Sequence, residues 1–385
     1  MLTGGNDPPY VLPLVSSLSK NGIKIDLLGN DEMKKDFILA NPNIAFYNFY
    51  GNHIPSSTPI KKITRVLKVY LQLFLYATKT KSKLFHIQWL NKFVVFDSFI
   101  LNMYYKILGK KLVHTAHNIN AGERDGNDSL LNRLAIRFLY SSMNHIFVHT
   151  NKMKSQLVND YRIEANKITV IPFGINNSIP TTSMSSNEAR IKLKLEKHEK
   201  NLLFFGNITP YKGLKYLVLA LPKLINEFKN IRLIIAGRVN KNGKTYWQDI
   251  QKIIAKNNLS DYIIKRIELI PDEEVEIYCK SADAMILPYI YIFQSGVLFL
   301  AYNFGLPVIA TDVGSLREDV LEGKTGYICN PEDPEDLSKK IDVYFKSDMY
   351  KNLNKTREYI KKYANDRYSW ENNSSKTYEV YKKLL

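Results

Sequence analysis

Cysteine is nearly absent: Cys279 and Cys329 are the only two in 385 residues. That excludes a disulfide framework and a zinc site built on several cysteines, and it points to a reducing, intracellular setting. Acidic residues are outnumbered, 37 against 54 lysines and arginines, which leaves a net charge of +17. Such a chain seeks anions: nucleic acid, anionic lipid headgroups or phosphorylated small molecules. No five basic residues are contiguous, so there is no nucleic-acid tail, and nucleic acid is not expected as a partner. Long apolar runs are also missing. Val66–Ala77 is broken by Lys68 and Gln72, and Phe93–Leu108 by Asp97 and Lys106, short of the ~18 apolar residues of a membrane span. The opening Met1-Leu2-Thr3-Gly4-Gly5 lacks the charged start and apolar core of a signal peptide. No GxxxxGK[ST] occurs, which excludes a P-loop, and without GxGxxG a dinucleotide site is unsupported. No HExxH occurs, and only Glu123 and Asp125 follow His114 and His117 as conceivable metal partners, so no metal is expected.

What is present is an ordinary globular composition, 45% apolar and 24% charged, long enough for two full cores. Short buried runs alternate with helical periodicity. Strands are expected at 24–29, 84–89, 111–115, 145–149 and 168–171. A second series follows at 202–206, 231–237, 263–270, 284–288 and 307–310, with helices over 213–228 and 333–344. This is the syntax of two α/β domains, each on a parallel sheet. The join falls in Asn176–Asn187 (NNSIPTTSMSSN), which has no apolar period. The expected division is 1–176, a linker 177–195, 196–365 and a C-terminal helix within 366–385. Ligands of open parallel sheets sit beyond the carboxyl ends of the strands, so a cleft between two such sheets is the expected site. Only Met1, Leu2 and Thr3 precede Gly4-Gly5, too few for a central first strand, so that strand is stunted or the start truncated.

Five constellations carry chemistry. Gly206-Asn207-Ile208-Thr209-Pro210-Tyr211-Lys212-Gly213 lies between a buried strand and a helix. There backbone N–H groups approach an anion at a helix start and Lys212 adds a charge; the plain alternative is a βα loop with a surface lysine. Gln294-Ser295-Gly296-Val297 enters an apolar helix, with Ser295 as N-cap and the Gly296 and Val297 N–H groups open to a phosphate oxygen, or it is simply a capped core helix. Val113-His114-Thr115-Ala116-His117-Asn118 ends a strand, where His117 meets a sugar hydroxyl or sits satisfied in the core. Glu318 and Glu322 flank a turn and fit ribose hydroxyls or plain solvent. Finally, 60–77 is an amphipathic helix with Ile60, Ile63, Leu67, Leu71 and Phe74 on one face and Lys61, Arg65, Lys68 and Gln72 opposite. It suits an anionic membrane or, more commonly, a domain helix with a basic solvent face; Lys79, Lys81 and Lys83 extend the positive patch.

These pieces, in this order, resemble the retaining family-four glycosyltransferases of the GT-B fold. Gly4-Gly5 looks like the glycine loop after the family's first strand, and His117 matches its mid-domain histidine. Ile171-Pro172-Phe173-Gly174-Ile175 looks like its exit from the first domain, and Phe205–Gly213 its phosphate loop. Ala282–Pro288, Gly305–Asp312 and Gly323–Gly326 resemble its later strands and turns. The resemblance implies two Rossmann-like domains, with the last helix (370–385) returning to the first. A nucleotide sugar, UDP- or GDP-linked, would be bound mainly by the second domain through Gly206, Asn207, Gly213, Gln294, Ser295, Gly296, Val297 and Glu318. Lys212 would stabilise the departing diphosphate and His117 would contact the donor sugar, with no cofactor. The acceptor would be a saccharide or a polyprenyl-diphosphate-linked one. The setting would be bacterial surface polysaccharide or glycolipid synthesis in the cytoplasm, with peripheral contact at the inner membrane face. Two departures stand out. Asn207 replaces the family's phosphate-loop arginine, and Ile292 and Leu300 fall where paired glutamates are usual, with Gln294-Ser295-Gly296 as a variant loop. A nucleotide-sugar epimerase of the same fold and a non-catalytic donor-binding relative are the alternatives.

Overall fold

The structure, a computed structural model, describes residues 1–52, 59–120, 128–175, 179–240 and 243–385. It divides into two compact units, Met1–Gly174 with Tyr368–Leu385, and Ile175–Arg367. The divisions thus fall a few residues from the expected 176/177 and 365/366, and Glu123 and Asp125 lie outside the described residues.

In the first unit, β1 (Ile25–Gly29) pairs with β2 (Ile44–Asn48), and β3 (Leu84–Ile87), β4 (Lys111–Ala116), β5 (His145–Val148) and β6 (Ile168–Val170) form a four-stranded parallel sheet in chain order. Leu2 joins the two sheets through single parallel bridges to Leu28 and Ile87. Its N–H donates to the His86 carbonyl at 2.8 Å, and the Gln88 N–H donates to the Leu2 carbonyl at 2.8 Å. The residues before Gly4-Gly5 thus join the two sheets through one bridging residue, Leu2. The strand β2 has no apolar run to mark it in the sequence, because only Ile44 of its five residues is buried. The helix Trp370–Leu384 belongs to this unit: Ser369 caps it, accepting from the Asn372 N–H, and Ser374 meets Ser17 at 2.8 Å. The Trp370 ring fills the space where a side chain on Gly174 would stand.

In the second unit, β7 (Lys200–Phe205), β8 (Ile231–Ala236), β9 (Ile263–Arg266), β10 (Ala284–Leu287), β11 (Val308–Thr311) and β12 (Gly326–Cys329) form one parallel sheet of order β12-β11-β10-β7-β8-β9. β10 and β11 are buried along their whole length, as strands covered on both faces must be. β9 ends at Arg266, not at 270, because Lys265 and Arg266 are already exposed. The chain winds from β7 outward one way to β9 and then the other way from β10 to β12. The order therefore reverses between β7 and β10, and the crevice above that reversal is where such sheets hold ligands.

The helix Pro59–Lys79 reverses the expectation of a basic solvent face over a buried apolar one. Its buried residues are Val69, Tyr70, Leu73 and Ala77, while Ile60, Ile63, Leu67 and Leu71 are 60–74% exposed. The helix carries two apolar arcs, and the core takes the one holding the aromatic ring and the small residue.

Candidate functional site

Two clusters stand at the carboxyl ends of strands, one in each unit. In the second unit the loop after β7 and the loop after β10 flank the point of reversal. The N–H of Ile290 donates to the Tyr211 carbonyl at 2.8 Å and ties one loop to the other. Gly213 is left-handed (φ +66°), and a Cβ there would stand 1.8 Å from the Pro288 carbonyl oxygen, so only glycine lets the loops meet. A Cβ on Gly206 would stand 2.8 Å from Lys212 Nζ and 3.7 Å from Val297 Cγ2, which brings these three predicted residues together.

Lys212 is buried, 7% exposed, with its ammonium 5.7 Å from the centre of the Tyr289 ring. Burial alone lowers its pKa, to about 8, and no carboxylate offsets that cost. An unpaired buried cation is expensive unless an anion joins it. In the same unit, Thr209 Oγ1, Gln294 Oε1 and Ser315 Oγ are buried without hydrogen-bond partners. They lie on the loops after β7, β10 and β11, at the carboxyl ends of the strands, where unpartnered polar groups fit a bound polar molecule. The helix Gly296–Asn303 begins here. Among the described residues, the Gly296 and Val297 N–H groups donate to no backbone partner. Ser295 stands at the N-cap position but makes no side-chain cap; its hydroxyl donates to Tyr289 Oη at 3.3 Å, which corrects the capping expectation.

Asn207 accepts a hydrogen bond from Arg238 Nε at 3.1 Å. Arg238 was not foreseen. It follows β8, whose Ala236 lies level with Phe205 of β7, so the register delivers a guanidinium beside the residue that replaced the expected arginine. Glu318 sits exposed on the short helix Leu316–Asp319 after β11. Glu322 does not form an open acidic pair with it: its carboxylate accepts the Ile328 N–H at 3.0 Å and so fastens β12.

In the first unit, Gly4 (φ +60°) leaves no room for a side chain, since a Cβ would be 2.6 Å from the Leu90 carbonyl oxygen. The Gly5 N–H donates to Thr3 Oγ1 at 3.0 Å. The Gly4 loop thus packs on the segment that carries Trp89, whose ring stacks on His117 at 4.7 Å and 6°. His117 is buried and meets His149 Nε2 through Nδ1 at 3.1 Å and the Gln88 amide through Nε2 at 3.3 Å. His149 Nδ1 faces the Ile171 carbonyl at 3.1 Å and must donate to it. The Gln88 atom facing His117 Nε2 is the carboxamide oxygen, so the Nε2–H of His117 donates to it. Burial first, and then the neighbouring His149, hold the His117 pKa well below the usual histidine range. The ring is a neutral, oriented hydrogen-bonding group. It borders a cavity of about 240 Å³ with Gln88, Trp89, Asn91, Asn118 and Asn132, an aromatic face among amides that suits hydroxyl-rich molecules. Among the described residues no three histidine, cysteine or acidic side chains are placed to hold a metal ion.

Residues 10–178 match the family model "Glycosyltransferase Family 4" and residues 185–367 the model "Glycosyl transferases group 1". The chain is 27% identical over 233 residues to a D-inositol 3-phosphate glycosyltransferase of Corynebacterium efficiens, covering 58% of this chain and 54% of that protein. It is 27% identical over 247 residues to an uncharacterized glycosyltransferase of Methanocaldococcus jannaschii, covering 60% and 58%. The chain therefore spans a little over half the length of these curated relatives. Among solved structures, a sucrose-phosphate synthase from Thermosynechococcus elongatus superposes with a TM-score of 0.76 at 18% identity over 97% of this chain and 92% of that one. The Anabaena HepE protein in complex with UDP superposes with a TM-score of 0.75 at 15% identity over 100% and 99%.

Proposed function

The chain belongs to the GT-B glycosyltransferases, its two halves matching the family-four and group 1 models in turn, and on that premise we propose that it moves a sugar from a nucleotide-diphosphate donor to a saccharide or polyprenyl-diphosphate-linked acceptor with retention at the anomeric carbon. The buried, unpaired Lys212 at the β7/β10 reversal carries this reading. When the bond from the anomeric carbon to the phosphate oxygen breaks, negative charge collects on the departing diphosphate. The Lys212 ammonium, the Gly296 and Val297 N–H groups and the Arg238 guanidinium supply fixed positive charge for it. They do the work of a divalent ion, so the reaction needs none. The acceptor hydroxyl forms the new bond to the anomeric carbon and its proton passes to the leaving phosphate oxygen. Gly206 and Gly213 shape the loop, Gln294 and Ser295 line it, and Glu318 takes the ribose. In the first unit the cavity beside His117 receives sugar hydroxyls. HepE is described in complexes with UDP, with UDP and glucose and with UDP-glucose, which supports a uridine donor ahead of a guanosine one. The acceptor chemistry fits bacterial surface polysaccharide or glycolipid synthesis at the cytoplasmic side of the membrane.

A thermal-shift screen with UDP, GDP and ADP tests it. One diphosphate raises the melting temperature, and Lys212→Ala abolishes that rise while folding as before and lowers turnover by about two decades. Full turnover in that variant would remove the phosphate-loop assignment.

A further inference from the structure

We propose that the first unit docks on an anionic lipid bilayer through the exposed apolar face of the helix Pro59–Lys79. Ile60, Ile63, Leu67, Leu71 and Leu75 recur at steps of three and four, so they form one stripe along the helix. They are 48–74% exposed, while the helix is anchored from its other side by Val69, Tyr70, Leu73 and Ala77. The exposure continues onto neighbouring helices. Phe74 packs on Tyr104 at 4.7 Å and Phe99 on Phe138 at 4.7 Å, which sets the helical stretch 94–107 and the helix Leu130–Ser142 side by side with it. Ile107 and Leu130 are 77% and 79% exposed there. Half of the 22 exposed large hydrophobic side chains among the described residues lie on these three helices, so the exposure is a concentrated patch and not ordinary scatter.

Charge selects the occupant. Between residues 59 and 111 there are eleven lysines and arginines and one acid, Asp97, which is itself buried. Lys61, Lys68 and Lys79 fall along one edge of the stripe, where their stems lie on apolar surface and their ammonium groups reach lipid phosphates. A second copy of the chain would bring two such basic faces together, which like-charge repulsion disfavours. A groove of about 400 Å³ opens beside Leu75, lined by Tyr47, Phe49 and Tyr76 with Lys79 at its rim. The exposed Tyr47 ring, with its polar tip, suits the headgroup level of a bilayer. The proposal deepens the reading of a lipid-linked acceptor and rests on it only for its purpose; binding to vesicles is read without any donor.

The test is co-sedimentation of the full chain with vesicles of phosphatidylcholine containing a quarter phosphatidylglycerol. Partitioning should be about tenfold weaker on pure phosphatidylcholine and should weaken as salt rises. The double variant Leu67→Glu, Leu71→Glu should lose about tenfold in partitioning while keeping its melting temperature and its UDP shift. Leu219→Glu, at an exposed leucine of the second unit, should bind as the unaltered chain does. The proposal falls if the double variant binds undiminished or if the unaltered chain binds no vesicles. It also falls if the chain forms dimers that the double variant abolishes, which would make the face a contact between copies. A UDP shift without vesicle binding defeats this proposal and leaves the sugar-transfer reading standing.

Discussion

Lys212 shows how far a single residue can be read. A lysine between a buried strand, a glycine turn and a helix is local syntax, and the sequence alone marks it. Its burial and its lack of a counter-charge belong to tertiary structure, and they yield a pH prediction. Its pKa near 8 means that the empty site holds the ammonium below pH 8 and loses it above. A diphosphate beside it favours the charged form, so binding near pH 8 takes up a proton. The affinity for UDP should be flat below pH 8 and fall by up to about tenfold per unit above it, as measured by calorimetric titration across pH 7 to 9.5. Lys212→Met should bind weakly and without that slope; an equal slope in the variant would assign the titration elsewhere. Arg238 is the opposite case. Nothing around it in the chain marks it, because its place depends on how β8 registers against β7. Arg238→Ala should weaken UDP binding about tenfold, the worth of one charge-assisted hydrogen bond, and leave the melting temperature of the empty protein unchanged. Unchanged affinity would make the contact with Asn207 a surface pairing only.

Single elements were legible when they were buried on both sides. β5, β10 and β11 read directly because every residue in them is apolar or sealed by the sheet. β2 did not read, since an edge strand needs no apolar run, and β12 did not read because four residues opened by a glycine leave too short a pattern. The helix Pro59–Lys79 was found by its period, yet the period cannot tell which of two apolar arcs faces the core. The turn at Gly213 is the element whose failure is easiest to measure. Gly213→Ala adds a methyl group 1.8 Å from the Pro288 carbonyl oxygen and imposes the left-handed backbone on an L-residue. Gly323 has a similar φ, +71°, with open space where its Cβ would go. Gly323→Ala should therefore cost only the backbone strain, about 1–2 kcal/mol, and Gly213→Ala distinctly more, read as denaturant midpoints of the two variants. Equal midpoints would mean that the loops can part, and that their contact does not fix the position of Lys212.

At the scale of the whole molecule, charge and histidine are unevenly shared. The first unit carries 25 basic and 13 acidic residues, so most of the excess positive charge belongs to it, which composition averaged over the chain conceals. It also buries His86, His114, His117, His145 and His149, whereas the second unit has only the exposed His198. The sequence showed the histidines ending strands β4 and β5 but not that they share one interior, since that requires the parallel register of β3, β4 and β5. Burial lowers every one of these pKa values, to about 4 for His114, His145 and His149 and well below the ordinary histidine value for His86 and His117. The unfolded chain, titrating near 6.5, binds more protons than the folded one from there down to about 4, so this stability is present above pH 6.5 and is lost as the pH falls toward 4. Asp7 and Asp97, raised to about 6 by burial, act in the opposite sense between pH 6 and 3.8, where the folded state holds the extra proton. Five rings outweigh two carboxyls, so acidification from pH 7 to 4.5 should lower the melting temperature of the first unit more than that of the second. Trp89 and Trp370 lie in the first unit and Trp247 in the second, so tryptophan fluorescence of a Trp247→Phe variant reports the first unit alone, and calorimetry of the same protein reports both. If the fluorescence midpoint moves no further than the other transition, the histidine interior is not what sets acid stability, and the neutral orientation of His117 beside the sugar-binding cavity loses its support.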